Sequence, residues 1–383
     1  MKVILWAPFG AGTHYWGPGT SAYRLYKILK DDNVKITLVH GSNSQELFPE
    51  VYDEQVKISS LDNKGKIASV IFLLKSFLWI RKNYHKYDAF HGITAFYFTF
   101  LPALYFNKFR GNTFIKITGG NGGFGNNSLV SKLLGFSKFR LSKANSISGY
   151  ISISSYISAN LIDSGIDKNK IFNIPNGVDT NRFKPVSINT KIQIRKRKNI
   201  PNRFTFTYIG GLTHNKRVIN VIRSMKLLKD RGIENFQFLI VGPDRSNGVV
   251  QEEVKKLIYS LNLQDNVFHV EHTKEPEKYF QMSDVFILVS EMEGMSNSLL
   301  EAMACGLPTI VTKVSGSEDL VKEEVNGVFT NGSPIDIARC MEGYILGDFD
   351  IEKFSHNSRT EIINCYSSKF IMSQHIRLFS NEC

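Results

Sequence analysis

The chain alternates short apolar runs, rich in β-branched and aromatic residues, with longer stretches of helical periodicity. This alternation is typical of parallel α/β architecture, in which a helix follows each strand. The runs that we interpret as strands are Lys2–Trp6, Lys35–Val39, Ala89–His91, Thr113–Ile117, Gly149–Ile153, Phe204–Ile209, Gln237–Val241, Val267–Val270, Val285–Val289 and Thr309–Thr312. They form two groups, so the pattern predicts two doubly wound, Rossmann-like domains.

The segment between the two groups, Val186–Asn199, has no apolar period and contains the run Arg195-Lys196-Arg197-Lys198. A charged run of this kind is typical of a solvated connection between domains. We therefore predict an N-terminal domain over residues 1–187 and a C-terminal domain from residue 188 onward. In open parallel sheets, ligands bind beyond the carboxyl ends of the strands. If the two domains face each other across a cleft, that cleft is the expected active site.

The composition excludes several classes of protein. With 383 residues, 42% hydrophobic and 21% charged, the chain is that of a globular protein rather than a disordered one. Its four cysteines form no CxxC pair, which argues against a disulfide scaffold or a zinc site and favours a reducing cytoplasm. The apolar segment Ala89–Phe106 contains polar residues and a proline, so we predict a strand and a helix there, not a membrane span.

The net charge of +12 is confined to the N-terminal half of the chain. Through Pro185 there are 23 basic and 11 acidic residues, whereas from Val186 onward there are 24 of each. A basic half attracts nucleic acid, an anionic membrane or an acidic substrate, unless it only solubilises the protein. The segment Ile67–Lys86 mixes aromatic and aliphatic residues with lysine and arginine. It is either a helix that lies in a membrane interface or a core helix with a solvated basic side.

Two glycine-rich loops follow predicted strands of the first domain. Glycine allows a ligand to approach the backbone closely and leaves the following helix N-terminus open to anionic or hydroxyl groups. The first loop lacks the compact GxGxxG spacing of a dinucleotide fingerprint. The residues of these two loops that we predict to line the cleft are His14, Gly17, Gly19, Gly119, Gly120 and Asn121.

A third loop, Ser290–Ser296, follows the strand predicted at Val285–Val289 and leads into a helix. Ser296 or Asn297 can cap this helix, which leaves backbone N–H groups free to bind an anion. Glu293 precedes the helix and Glu301 lies inside it. Two carboxylates separated in this way suit two sets of hydroxyls on one extended ligand better than an acid/base pair.

Glu293 and Glu301, with seven residues between them, form an E-x7-E motif that resembles the family-4 retaining glycosyltransferases of the GT-B fold. The similarity covers about residues 154–329. Further motifs that carry the resemblance, in the family's order, are Ile174–Asp179 with Arg182-Phe183, Tyr208–Leu212 with Lys216, Leu239–Pro243, Thr312 with Gly316 and Asp319, and Asn326-Gly327.

The resemblance implies transfer of a hexosyl-type sugar from a nucleotide-sugar to a glycan or lipid-linked acceptor, with retention of configuration and without a metal or other cofactor. It implies a peripheral enzyme at the cytoplasmic face of a membrane that builds a surface polysaccharide. It also implies an acceptor-binding domain over 1–187, a donor-binding domain over 188–365, and a helix within 366–383 that returns to the first domain. Glu293 and Lys216 match the catalytic residues. The matching donor-binding residues are Gly210, Gly211, Arg217, Gly294, Met295, Ser296, Asn297, Ser298 and Glu301.

Two features depart from the family pattern. Gly211 stands where the family usually has an arginine, and Arg217 is the cation that could replace it. Thr118 stands where a histidine is common, which leaves His91 as a cleft residue or a histidine of the core.

Three other functions compete with the transferase. A GT-B sugar-nucleotide epimerase would need acid/base residues in the first domain, and a non-catalytic sugar-nucleotide binding protein would fit the missing arginine at Gly211. A nucleic-acid binder would need basic residues interleaved with stacking aromatics, and the sequence shows no recognised module of that kind.

Overall fold

The computed structural model describes residues 1–12, 17–29, 34–61, 66–119 and 136–380. The chain divides into two compact units. The first is formed by Met1–Gly177 together with Ser368–Cys383, and the second by Val178–Ser367. The division at Gly177 and Val178 lies before the charged segment at which the sequence pattern places the boundary.

The first unit contains a sheet of seven parallel strands in the order β3-β2-β1-β4-β5-β6-β7. Strands β1, β4, β5 and β6 are almost entirely buried, whereas the edge strands β3 and β7 are partly exposed. The strands are β1 Lys2–Trp6, β2 Lys35–His40, β3 Glu54–Lys57, β4 Ala89–Ile93, β5 Thr113–Ile117, β6 Gly149–Ser152 and β7 Ile171–Asn173.

Helices cover this sheet in the sequence order that a doubly wound fold requires. The helices of this part of the first unit are α1 Gly17–Leu29, α2 Lys66–Asn83, α3 Tyr97–Arg110, α4 Phe136–Ala144 and α5 Ser155–Asp163. Helix α1 supplies Ala22 and Tyr26 to the main core cluster, and α2 packs beside α3.

The second unit contains a sheet of six parallel strands in the order β10-β9-β8-β11-β12-β13. Its strands are β8 Phe204–Ile209, β9 Phe236–Val241, β10 Val267–Val270, β11 Val285–Leu288, β12 Thr309–Thr312 and β13 Gly327–Thr330. Its helices are α6 Ile188–Arg197, α7 Val218–Asp230, α8 Val249–Ser260, α9 Pro276–Gln281, α10 Asn297–Ala304, α11 Ser317–Leu320, α12 Pro334–Leu346 and α13 Ile351–Glu361. The predicted fold of two Rossmann-like units is confirmed.

The segment 186–199, which the sequence pattern predicts to be a solvated connection, is mostly exposed but lies within the second unit. Most of this segment is the helix α6, and the Arg195 side chain is only 7% exposed. Arg195 donates hydrogen bonds to the carbonyl oxygen of Met282 and to the Asp284 carboxylate, each over 2.8 Å. A buried arginine with charged and polar acceptors explains why a run of basic residues can form part of a packed unit.

The last helix, α14 Ser368–Phe379, belongs to the first unit. Its side chains Ile371, Leu378 and Phe379 join the same core cluster as residues of β1 and α1. The chain thus enters the second unit after Gly177, completes it, and returns to the first.

Within the part of the chain that the structure describes, every helix is too short or too polar to cross a membrane.

Candidate functional site

The strand order of the second sheet reverses between β8 and β11, which are hydrogen-bonded neighbours. Loops that follow two such strands diverge around a crevice where α/β proteins bind ligands. Here the loop after β8 leads to a short 3-10 turn, His214–Lys216, and then to α7, while the loop after β11 leads to α10. The sequence motifs around Lys216 and Glu293 therefore lie on adjoining loops.

Glu293 is held in place from both loops. Its Oε1 atom accepts hydrogen bonds from Lys216 Nζ at 2.5 Å and from Ser290 Oγ at 2.7 Å. The side chain of Glu293 is 10% exposed and that of Lys216 is 23% exposed. The structure therefore brings together the two residues that the resemblance assigns to catalysis.

Hydrogen bonds to backbone carbonyl oxygens fix the two loops against each other. Glu291 N donates to the carbonyl oxygen of Asn215 over 2.9 Å, and Asn215 Nδ2 donates to the carbonyl oxygen of Met292 over 3.1 Å. Thr312, at the end of β12, donates to the carbonyl oxygen of Ser290 over 2.6 Å. Because three loops share these bonds, contacts within the protein fix the position of the loop that carries Glu293.

Helix α10 begins as the sequence predicts. The Ser296 side chain caps it by accepting a hydrogen bond from Leu299 N at 3.3 Å. The first amides of a helix have no intrahelical acceptor, so Asn297 and Ser298 can present N–H groups to an anion. Glu301, which is 5% exposed, lies about 6 Å along the helix axis from Asn297, at 1.5 Å per residue.

Glycines allow these loops to approach closely. Gly316 has a φ of 76°, and a Cβ atom at that position would collide with the carbonyl oxygen of Gly294. Met295, next to Gly294, is 7% exposed. A bulkier residue at position 316 would therefore displace the loop that carries Glu293.

Arg217, the cation that the sequence suggests as a replacement for the missing arginine at Gly211, lies beside an exposed carboxylate. Its backbone adopts the left-handed conformation, with a φ of 51°, and its Nε atom donates to Glu291 Oε1 over 3.0 Å. The guanidinium also lies beside Gly332, where a Cβ atom would be 2.8 Å from Arg217 Nη1. Arg217 therefore already has a carboxylate partner.

The pKa of Tyr208 depends on the burial and the charge of the site. Its hydroxyl donates to the carbonyl oxygen of Gly211 over 2.9 Å. Burial raises the pKa of Tyr208, and the nearby Glu293 carboxylate raises it further. The neutral phenol is thus the form that supports the loop through Gly210 and Gly211.

The arrangement has the components needed to bind an anion beside a polyol. Lys216 carries three N–H donors, of which Glu293 uses one, and the N-terminus of α10 adds backbone donors. Glu293 keeps a second carboxylate oxygen for hydroxyl groups. Among the described residues, no group of three or more histidine, cysteine, aspartate or glutamate side chains is arranged to hold a metal ion.

The residues predicted in the first unit are less closely grouped. Gly17 and Gly19 lie in the first turn of α1, and Gly119 is exposed just after β5. His14, Gly120 and Asn121 lie outside the described residues.

His91 lies in the core of the first unit and is fully buried. Its Nδ1 atom is 2.7 Å from the Tyr26 hydroxyl, and its ring centroid is 5.8 Å from that of His375. Burial lowers the pKa of His91 well below its usual value, and the neighbouring His375 and Lys116 lower it further. In this structure no solvent reaches the imidazole.

The sequence pattern indicates no role for Ser290, Asn215 or Thr312, although all three hold the loop of Glu293. The position of Ser290 immediately after an apolar strand and three residues before Glu293 is the one signal that could have identified it.

Two family models match the chain in adjacent stretches. The one described as Glycosyltransferase Family 4 matches residues 16–182, and the one described as Glycosyl transferases group 1 matches residues 190–360. Together they include most of both units.

Curated relatives resemble part of the chain. The capsular polysaccharide biosynthesis glycosyltransferase CapM of Staphylococcus aureus is 27% identical over 230 residues, which are 58% of this chain and 59% of CapM. The UDP-Gal:alpha-D-GlcNAc-diphosphoundecaprenol alpha-1,3-galactosyltransferase of Escherichia coli is 30% identical over 208 residues, 53% of this chain and 52% of the relative. The chain thus spans little more than half the length of these two relatives.

Solved structures resemble the whole chain. A glycosyltransferase from Rickettsia africae ESF-5 matches with a TM-score of 0.82 and 17% identity, covering 99% of this chain and 98% of that one. HepE of Anabaena, solved in complex with UDP and glucose, matches with a TM-score of 0.79 and 15% identity, covering 100% of both. At these identities the likeness shows a shared fold. Since a family model matches each half and the fold is shared throughout, the chain belongs to the family-4 glycosyltransferases of the GT-B fold.

Proposed function

We propose that this protein is a retaining glycosyltransferase that moves a hexosyl-type sugar from a nucleotide-sugar to a glycan or lipid-linked glycan. The observation that carries the proposal is the Glu293 carboxylate, which Lys216 and Ser290 hold where β8 and β11 end. The capsular role printed for CapM and the diphosphoundecaprenol acceptor printed for the Escherichia coli relative support a surface polysaccharide as the product.

In the proposed reaction the bond between the anomeric carbon and the phosphate oxygen breaks, and the leaving nucleoside diphosphate takes the electron pair. Lys216 and the first amides of α10 stabilise the charge that develops on the phosphate. The acceptor oxygen bonds to the anomeric carbon on the face that the phosphate leaves, and its proton passes to the leaving phosphate oxygen. Glu293 holds sugar hydroxyls and Glu301 the ribose hydroxyls. We propose that no metal or cofactor takes part, because these protein groups supply the positive charge.

A screen of UDP-, GDP-, ADP- and TDP-sugars for nucleoside diphosphate release, with and without glycan acceptors, tests this function. We expect Glu293→Ala and Lys216→Ala each to lower kcat about 100-fold to 1000-fold, the range for loss of one charge-stabilising group. The matched control Lys226→Ala removes an exposed lysine on α7 that pairs with Asp230, and it should keep the wild-type rate.

Nuclear magnetic resonance of the product then reports the anomeric configuration. Wild-type turnover in both Glu293→Ala and Lys216→Ala would show that the mechanism is wrong, and an inverted product would remove the retaining assignment. Binding of a nucleotide-sugar without release under any condition would favour the non-catalytic binding protein. Neither family model describes an epimerase.

We also propose that the protein acts at the cytoplasmic face of an anionic membrane, on which α2 lies. Helix α2 presents an apolar surface whose side chains are between 42% and 77% exposed: Ile67, Val70, Ile71, Leu74, Phe77 and Leu78. Most of them follow the three- and four-residue spacing of one helix face. Exposed cations on the same helix and just beyond it are Lys75, Arg81, Lys82 and Lys86. A bilayer of anionic lipids offers both an apolar interior for these side chains and negative charge for the cations.

A further inference from the structure

The loops that follow β8 and β9 continue the pairing of the two strands. Gly210 N donates to the carbonyl oxygen of Val241, Leu212 N to that of Pro243, and Arg245 N to that of Leu212, each over 2.9 Å. Gly242 has a φ of 137°, and a Cβ atom at that position would collide with the carbonyl oxygen of Gly210. The loop that contains Arg245 is therefore fixed directly against the loop that leads to Lys216.

The side chain of Arg245 lies across Gly211. A Cβ atom built on Gly211 would be 2.6 Å from Arg245 Cγ and 3.6 Å from both Cβ and Cδ of Arg245. The space into which any side chain at position 211 would extend is thus filled by the stem of Arg245. Because Gly211 has no Cβ atom, the Arg245 side chain from the neighbouring loop can occupy this space.

The basic residues beside Glu293 already have carboxylate partners, so a further cation would be needed to balance the charge of a bound diphosphate. Lys216 pairs with Glu293, and Arg217 pairs with Glu291, so these two basic residues are balanced by two carboxylates. Arg245 is exposed, and its guanidinium has no hydrogen-bond or ion-pair partner among the residues that the structure describes. The adjacent Asp244 carboxylate is already engaged, because it accepts hydrogen bonds from the amides of Ser246 and Gly248 before α8.

We propose that Arg245 binds the diphosphate of the nucleotide-sugar, in the space that an arginine at position 211 would otherwise occupy. The inference rests on the proposed function. Arg245 is not among the residues of the sequence motifs, and Arg217, the other candidate cation, already pairs with Glu291. A guanidinium is suited to this role, since its planar set of N–H donors binds phosphate oxygens two at a time. Arg245 also borders an open cavity of about 660 Å³ at the ends of β9 and β10, so a ligand can reach it.

Binding measurements separate a phosphate contact from other roles. The probes are the nucleoside diphosphate that wild-type protein binds best among UDP, GDP, ADP and TDP, and the same nucleoside without phosphate. We expect Arg245→Ala to weaken diphosphate binding about 10-fold to 100-fold in calorimetry, the usual cost of one charge-assisted hydrogen bond. Nucleoside binding, followed by saturation-transfer nuclear magnetic resonance, should not change.

The matched control is Arg223→Ala, which removes an exposed arginine of α7 outside the site. It should leave both affinities at the wild-type value. In the double variant Gly211→Arg/Arg245→Ala, the new arginine can enter the space that the old side chain leaves. We expect this variant to recover most of the diphosphate affinity lost in Arg245→Ala.

Three results would overturn the inference: unchanged diphosphate affinity in Arg245→Ala, an equal loss for nucleoside and diphosphate, or no recovery in the double variant. The first leaves Arg245 as a solvated surface residue, and the second moves its contact to the base or ribose. If wild-type protein binds none of the four diphosphates, the proposed function fails together with this inference. Failure of Arg245 alone, with tight wild-type binding, leaves the proposed function intact.

Discussion

The buried hydroxyl of Ser290 donates to the Glu293 carboxylate, and Thr312 donates in turn to the Ser290 backbone. Ser290 is fully buried, so no water can replace its hydrogen bond without a local rearrangement. Ser290 therefore acts on the reaction through Glu293, as a positioning residue.

We expect Ser290→Ala to lower kcat about 10-fold to 100-fold, which corresponds to the loss of a hydrogen bond to a charged group. The donor KM should change little, because Lys216 still holds Glu293 near its position. Ser290→Thr keeps the hydroxyl and should recover part of the rate. Steady-state kinetics with varied donor concentration measure both constants.

Ser224→Ala is the matched control for this prediction. Ser224 is also fully buried, but its hydroxyl donates to the carbonyl oxygen of Val221 within α7. Equal kcat values for Ser290→Ala and Ser224→Ala would contradict a positioning role for Ser290.

The sequence predicts the chemistry of this site better than its contacts. The spacing of Glu293 and Glu301 and the cap at Ser296 are local patterns, and the structure places all three where the pattern predicts. The ion pair between Lys216 and Glu293 joins residues 77 positions apart, and the contact of Arg245 with Gly211 depends on how two loops pair. Local periodicity carries no information about such pairs.

At the scale of elements, the strands that the sequence pattern misses lie at sheet edges. Strands β3, β7 and β13 are all terminal in their sheets. In β3 and β7 the side chains are partly exposed, so these segments lack the apolar run of a central strand. Strand β13 is short and begins with Gly327, against which Thr309 of β12 packs closely. Central strands are predicted because burial on both faces makes them apolar.

The exposed side chains of helix α2 lead to a prediction about membrane binding. The double substitution Leu74→Ser/Leu78→Ser should reduce binding to phosphatidylglycerol-containing vesicles about 10-fold or more, since each exposed leucine contributes about 1 kcal/mol when it enters the bilayer. Lys75→Ala/Arg81→Ala/Lys82→Ala should reduce binding about 100-fold at low salt, at about 1 kcal/mol for each cation. Co-sedimentation measures both.

The control for α2 is Ile335→Ser/Leu346→Ser on α12, where two side chains are 70% and 64% exposed in the second unit. This variant should bind vesicles as the wild type does. If the α2 variants bind normally, α2 is not the membrane surface. If instead they abolish a dimer seen by light scattering, a second copy of the chain covers this face.

At the scale of the whole molecule, the first unit contains buried basic groups that make its stability depend on pH. Burial, together with a smaller effect of Lys116, lowers the pKa of His375 from 6.5 to about 3. Burial also lowers the pKa of Lys116 to about 8. The groups that face His375 are His91, Lys116 and Phe379, and the carbonyl oxygen of Ile371 lies 2.9 Å from its Nδ1 atom.

Because the folded-state pKa of His375 is lowered, the unfolded chain binds more protons between about pH 3 and pH 6.5. Stability is therefore lost as the pH falls below 6.5, by about 1 kcal/mol per pH unit for this residue. We expect wild-type protein to be less stable to urea at pH 5.5 than at pH 7.5, and His375→Leu to show a smaller difference.

Tryptophan fluorescence isolates the relevant unit, since all three tryptophans of the sequence lie between residues 1 and 177, the main range of the first unit. The control His85→Asn changes an exposed histidine of the same unit and should keep the wild-type pH dependence. An unaltered difference between the two pH values in His375→Leu would show that His375 is not the group responsible.

The path of the chain between the units has a consequence for how the protein could be recombined. The chain leaves the first unit after Gly177 and re-enters it at Ser368, and a Cβ atom on Gly177 would lie 3.0 Å from the Cα atom of Ser368. On the other side, Val178 N donates to the carbonyl oxygen of Tyr366 over 3.0 Å. Residues 178–367 are thus a cassette with neighbouring ends. A chimera with a relative that has a single crossover, at one end of residues 178–367, would take the two parts of the first unit's core from different proteins. A chimera with crossovers at both ends would exchange the second unit as a whole.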